Sequence, residues 1–281
     1  MSAFADFGIS GQTTQNRVTN AIATASRRTG VDFGYLLGQA KIESSLNPTA
    51  KASTSSATGL YQFIDQSWLA VIDQHGSQYG LGWAADAIQR GSNGRYFVSD
   101  PQLRQQILDL RNHPETASVM AAEHAADNKA YLEQRTGRNA EPVDLYLAHF
   151  LGAGGASKFL NAMNKAPNAT AAAYFPAAAR ANRSIFYDRQ GNARSLAEVR
   201  DNFEAKLNRS SQGVEVQYAN VPMDPSWSLP RGNAGGGEAG GAASGGSTQD
   251  YLNGLSQADV TLRPQPETAR LAYLMLATFG R

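Results

Sequence analysis

Apolar residues along the first two thirds of the chain recur at helical rather than strand spacing. In "VDFGYLLGQAKIESSLNP", Phe33, Leu36, Leu37 and Ala40 fall on one helical face, with Asp32 as N-cap. Pro48 is expected to close this helix, because the residue before a proline disfavours the α region. Further helices are predicted at 65–74, 101–111, 115–133 with Pro114 at its entry, and 142–151 between Pro142 and Gly152. Residues 15–164 thus read as mostly helical. Alternation typical of strands is sparse, and "GVEVQYANV" at 213–221 is the best short candidate.

The pattern breaks at 232–247, "GNAGGGEAGGAASGGS", which has the composition of a flexible linker. Beyond it, "PETARLAYLMLATFG" at 266–280 reads as one short helix, too short to cross a bilayer. This tail either docks on the main domain or a partner, or anchors the chain to a membrane surface or an assembly. The resulting division is an N-terminal segment 1–14, a helical domain 15–210, an extended connector 211–231, the linker 232–247 and a helical tail 248–281. The fold class is all-α.

One charged residue sits on the periodic face. At about 100° per residue, the step from Leu36 to Glu43 returns to within about 20° of the same direction. Burial disfavours a charged carboxylate, and so does the partial negative charge of a helix's last turn. Both favour the protonated acid that a general acid needs. The competing reading is a glutamate at the helix end turned to solvent.

Composition narrows the chemistry. Lys and Arg number 25 against 24 Asp and Glu, a net charge of +1, which gives no footprint for nucleic acid or an anionic membrane. Without cysteine, thiol catalysis, disulfides and cysteine-bound zinc are excluded. His75, His113, His124 and His149 are scattered, and none sits in an HExxH pattern. The start "MSAFADFGIS" lacks the basic and apolar regions of a cleavable signal peptide. The protein is therefore expected to stay inside, to leave by another route, or to start further upstream.

A second stretch bears on Glu43. "SSATGLYQFIDQSW" at 55–68 follows a Ser/Thr-rich loop, with Gly59 suited to a tight turn or close backbone approach. Leu60 and Phe63 look buried, and Gln62 offers an amide between them. Taken together, "KIESSLNP…SSATGLYQF" resembles the first two motifs of the SLT-type lytic transglycosylases, the goose-type-lysozyme-like glycoside hydrolase family 23. That family shows Glu-Ser at a helix end, then Gly-Leu-Met-Gln. Here these are Glu43-Ser44 and Gly59-Leu60-Tyr61-Gln62, with Tyr61 in the Met position. The third motif, Ala-Tyr-Asn-Ala-Gly-x-Gly, is similar to "AHFLGAG" at 148–154, with His149 at the Tyr position and Phe150 at the Asn position. "FPAAARANRSIFY" at 175–187 corresponds to a later family segment but lacks its glutamate. The likeness covers roughly residues 20–190.

The resemblance implies a lysozyme-like helical domain acting on peptidoglycan glycan strands, without metal or organic cofactor. Glu43 would protonate the oxygen between N-acetylmuramic acid and N-acetylglucosamine, then take the proton of the muramoyl C6 hydroxyl as a 1,6-anhydro ring closes. Ser44 and Ser53 would orient Glu43 or the substrate's acetamido group. Gly59, Leu60, Tyr61 and Gln62 would line the sugar site. Tyr146, His149 or Tyr187 would hold Glu43 in place of the family tyrosine. For Tyr146 the default is core packing, and for His149 a helix–helix contact is an equal reading. Trp68 is expected in the core, and Asp65 and Asp73 read as capping and surface residues. The substrate places the protein in the periplasm or cell envelope, with the tail as a candidate contact to an envelope, secretion or flagellar assembly partner.

Two alternatives stand beside this. In a lysozyme-like muramidase, a hydrolase, Glu123 or an aspartate would activate water; Glu123 also reads as an ordinary exposed helix residue. In a non-catalytic peptidoglycan-binding or assembly protein, the altered third motif would disable chemistry.

Overall fold

A computed structural model describes residues 6–211, with side chains from Thr14 onward. The strand candidate at 213–221, the linker 232–247 and the tail helix lie outside the described residues. What is described is mainly helical, as the periodicity requires. The helices are α1 (Asp6–Thr29), α2 (Phe33–Ser44), α3 (Asp65–His75), α4 (Gly82–Ala85), α5 (Pro101–Asp109), α6 (Pro114–Thr136), α7 (Pro142–Lys165), α8 (Ala171–Tyr174), α9 (Pro176–Ala181), α10 (Arg183–Phe186) and α11 (Leu196–Ser211). Two short antiparallel strands, β1 (Gln89–Arg90) and β2 (Tyr96–Phe97), form a hairpin between α4 and α5.

Three boundaries differ from the sequence expectation. The proposed domain start at residue 15 falls inside α1, which begins at Asp6. Pro48 does not end α2. The helix stops at Ser44, where Ser45 (φ 55°) and Leu46 (φ 64°) both turn left-handed. The predicted exit at Gly152 is a real break, with φ 72° and ψ 158°, but α7 resumes beyond it and continues to Lys165.

The helices α1 and α6, α2 and α11, α6 and α7, and α7 and α11 form the main packed pairs. Their shared core holds Leu36, Leu37, Leu60, Trp68, Val119, Tyr146, Phe150 and Phe203. Trp68 is fully buried, as expected, and its indole N–H donates to the Ile107 carbonyl at 2.7 Å. The α2–α11 contact is close enough that a Cβ on Gly38 would stand 2.8 Å from Leu207 Cδ1. Leu196, Val199, Phe203 and Leu207 are buried along α11 at helical spacing. That helix therefore covers α2 and α7 together and fixes their relative position.

Candidate active site

The site begins with how α2 starts and stops. Asp32 Oδ1 accepts from the Tyr35 amide at 2.6 Å and caps the helix. At the other end the Ser45 amide donates to the Lys41 carbonyl at 3.0 Å, and the Leu46 amide to Ala40 at 3.4 Å. This left-handed exit turns the chain away directly after Glu43 and Ser44. Glu43 points inward, and its side chain is only 1% exposed.

Two side chains meet its carboxyl, both from α7 and both at the same oxygen. The Tyr146 hydroxyl donates to Glu43 Oε1 at 3.3 Å. His149 Nε2 stands 3.3 Å from that atom, at ion-pair range. Tyr146 and His149 are three residues apart, so one helical face presents both. Tyr146 is fully buried, and Phe203 of α11 packs against its ring edge-on at 5.4 Å. Burial first, and then Glu43, raises the Tyr146 hydroxyl well above the ordinary phenol range, so it remains a donor. Tyr35 is raised likewise, by burial, by Tyr61 and by Glu43. From α6, His124 approaches the same region. Burial, followed by the charge of His149, pushes it down to about 4.

The second motif is joined to the first through Ser44. Its buried hydroxyl lies 2.8 Å from the Leu60 carbonyl and 3.0 Å from the Ala40 carbonyl, so it bonds the helix end to the loop. Gly59 is required twice over. Its φ of 83° is left-handed, and a Cβ there would stand 2.0 Å from the Arg111 carbonyl oxygen. Gln62, with φ 51°, spends its amide N–H groups on the Ala50 carbonyl (3.1 Å) and the Gly59 carbonyl (2.9 Å). Its Oε1 is buried and has no partner among the described residues. Leu60 and Tyr61 are buried, the latter with a hydroxyl that faces Ser118 without hydrogen-bond geometry.

Beneath this loop lies Arg111, buried and unforeseen from sequence. Its Nη1 donates to the carbonyls of Ser56 and Phe63 and to Asp65 Oδ1, each at 2.9 Å, while Nε donates to the Leu108 carbonyl at 2.9 Å. Asp65 also pairs with Arg104 at 2.6 Å. The capping reading of Asp65 is therefore corrected. Ile64 holds the N-cap position of α3, and Asp65 is the counter-ion of two arginines.

Glu123 belongs to a separate cluster. The Tyr79 hydroxyl donates to Glu123 Oε1 in a short contact. His75 Nδ1 stands 3.5 Å from Glu123 Oε2, and His75 Nε2 lies 2.8 Å from Asp127 Oδ2. Oε1 of Glu123 is thus held by Tyr79, while His75 Nδ1 lies near Oε2 without hydrogen-bonding it, and the side chain is 15% exposed. The two carboxylates take opposite edges of the imidazole, so the three groups do not converge on a metal position.

The structure thus brings together Glu43, Ser44, the Gly59–Gln62 loop and His149 from among the expected site residues. It does not bring in the others. Ser53 is exposed in its loop. Tyr187 pairs with Ala193 in a bridge and carries the Arg183 guanidinium 4.5 Å over its ring. Tyr146, read by default as core, is both core and the hydroxyl partner of Glu43. Its spacing from His149 was the available signal. No protein-family model matches the chain.

Proposed function

We propose that this protein is a peptidoglycan lytic transglycosylase with Glu43 as its one acid–base group. The observation that carries this reading is a buried carboxyl at a helix end, held at one oxygen by Tyr146 and His149 and tied through Ser44 to the Gly59–Gln62 loop. The motif resemblance to SLT-type lytic transglycosylases gives that geometry its substrate, the bond from N-acetylmuramic acid to N-acetylglucosamine.

In the proposed reaction Glu43 gives its proton to the glycosidic oxygen as the bond breaks, with help from the substrate's N-acetyl group. The carboxylate left behind is buried, and such a charge needs donors. Tyr146 is one, and His149 Nε2, 3.3 Å from the same oxygen, is placed to become the other. The muramoyl C6 hydroxyl then closes onto C1 and returns its proton to Glu43, giving a 1,6-anhydro end with no water consumed. The acid is restored, and a second carboxylate is not needed. At Glu123 the Tyr79 hydroxyl holds Oε1, and the adjacent His75 is paired with Asp127, a setting that suits a structural carboxylate. Because the amide N–H groups of Gln62 are occupied by backbone and its Oε1 is buried, this residue serves by shaping the loop. Action on peptidoglycan places the protein in the periplasm or envelope, where residues 248–281 would contact an assembly partner.

The test is the mass of fragments released from purified peptidoglycan. Anhydromuropeptides, each one water lighter than the hydrolytic product, are expected from the wild type. The Glu43→Gln variant should fold and bind but lose turnover on the order of 10²–10⁴-fold. Reducing-end products would favour the muramidase. Binding by both proteins without release by either would leave the non-catalytic reading.

A further inference from the structure

A carboxylic acid has one oxygen that bears the proton and one that only accepts. The Tyr146 hydroxyl donates to Oε1 of Glu43, and burial keeps that phenol protonated. His149 Nε2 approaches the same Oε1, and none of the described side chains bonds Oε2. A second donor on that oxygen would make it the carbonyl-like acceptor in the acid form and the main seat of charge in the carboxylate form.

We propose that His149 is a positioning residue that donates Nε2–H to Glu43 Oε1, so that Oε2 alone carries the proton given to and taken back from the substrate. This rests on the reading of Glu43 as the acid. His149 is suited to the task by its place on α7. It stands one helical turn after Tyr146, whose ring centroid is 6.0 Å away, and one turn before the break at Gly152. The ionisable groups around it are Glu43 from α2, Tyr146 from its own helix and His124 from α6. With His124 held neutral near pH 7 by its lowered affinity for protons, Glu43 is the partner that attracts the N–H of His149. At 3.3 Å both contacts are long, and that of His149 is not aligned as a hydrogen bond; catalytic hydrogen bonds are often long or poorly aligned before substrate arrives, and these two tighten when charge develops on the carboxyl.

The experiment compares the wild-type full chain with His149→Phe and His149→Gln on purified peptidoglycan, and reads the His149 tautomer by long-range ¹H–¹⁵N correlation. Phe keeps the ring but has no donor, and Gln restores an N–H. A lost hydrogen bond to a charged group predicts a fall in kcat on the order of 10–100-fold for His149→Phe, with KM little changed and most of the rate recovered in His149→Gln. The resonances should show an Nε2-protonated ring, in the wild type and in Glu43→Gln alike, because the Gln amide oxygen replaces Oε1. An unchanged rate in His149→Phe would overturn the proposal. So would equal loss in both variants, which marks proton transfer rather than positioning. An Nδ1-protonated ring would also overturn it, because the bare Nε2 would then accept the acid proton from Oε1. If the histidine variants fail to fold, the wild-type tautomer decides alone. A wild type that releases nothing would remove the Glu43 reading itself, and that outcome is distinct from an active wild type indifferent to His149.

Discussion

Glu43 and Glu123 each meet one tyrosine hydroxyl and one histidine, yet the two sets of contacts are arranged differently. Tyr146 and His149 both address Oε1 of Glu43. Tyr79 takes Oε1 of Glu123, while His75 faces Oε2 and turns its other edge to Asp127. At Glu43 both side chains gather on one oxygen and leave the other clear, whereas at Glu123 a side chain stands beside each oxygen, with only the Tyr79 contact a hydrogen bond. Exposure alone would rank them the other way, since Glu123 is the more accessible side chain at 15% against 1%. What separates a candidate acid from a structural carboxylate here is which oxygen each partner meets.

The surroundings of the two residues can be broken separately, and the largest effect is expected beneath the Glu43 loop. Arg111→Met removes a buried cation and the donor shared by two loop carbonyls and Asp65. A cost of about 3–5 kcal/mol is expected from losing one partner of a buried pair. Thermal melting should show it, and hydrogen exchange should quicken over 56–63 while the Tyr79–Glu123 end of α3 stays protected. Uniform exchange across both would mean that the two regions unfold as one unit.

Gly59→Ala follows, at about 2–4 kcal/mol, from left-handed strain together with the 2.0 Å approach to the Arg111 carbonyl. Its signature is a fall in melting temperature with loss of turnover. Full activity in this variant would show that the loop need not hold its present turn.

Next in size is a matched pair of hydroxyl deletions. Tyr146→Phe should lower kcat by about tenfold, the worth of one hydrogen bond to a charged group. Tyr79→Phe, which removes the same contact at Glu123, should leave kcat within about twofold. Equal effects of the two would erase the distinction between the carboxyls.

Acid should act at the start of α6. His113 is the N-cap of α6, the helix carrying Glu123 and Asp127, and its Nδ1 accepts from the Thr116 amide at 3.3 Å only when unprotonated. Burial, opposed by Glu115 and reinforced by Arg17, pushes His113 down to about 4. An unfolded histidine titrates at about 6.5, so the unfolded chain binds more protons between those values. This contribution to stability is complete above pH 6.5 and is lost as pH falls toward 4, on the order of 1–3 kcal/mol. Denaturant midpoints at pH 7 and pH 5 test it, and His113→Asn, which caps without titrating, should reduce the difference, the remainder falling to His124.

Much of this was legible in the sequence, and what was not has physical causes. The inward direction of Glu43 follows from its seven-residue step from Leu36, and Gly59 announces a backbone that only glycine tolerates. The stop of α2 was misplaced because a left-handed pair at Ser45 and Leu46 carries no glycine signal. The hairpin at 89–97 has two-residue strands, too short for alternation to show. Arg111 was invisible because most of its partners are backbone carbonyls, which any sequence supplies. Tyr146 lies on the core period, and a buried phenol that also serves a carboxyl has the same spacing as one that only packs. The helix α11 carries a signal of its own, Leu196, Val199, Phe203 and Leu207 at helical spacing.

The most direct measurement is a side-by-side digestion of purified peptidoglycan by the wild type, Glu43→Gln and Glu123→Gln, with released fragments weighed by mass spectrometry. If Glu43 is the one acid–base group, Glu123→Gln releases anhydromuropeptides within about twofold of the wild-type rate, and Glu43→Gln falls on the order of 10²–10⁴-fold. Loss of activity in Glu123→Gln while it stays folded, together with reducing-end products from the wild type, would contradict a mechanism that runs on one carboxyl.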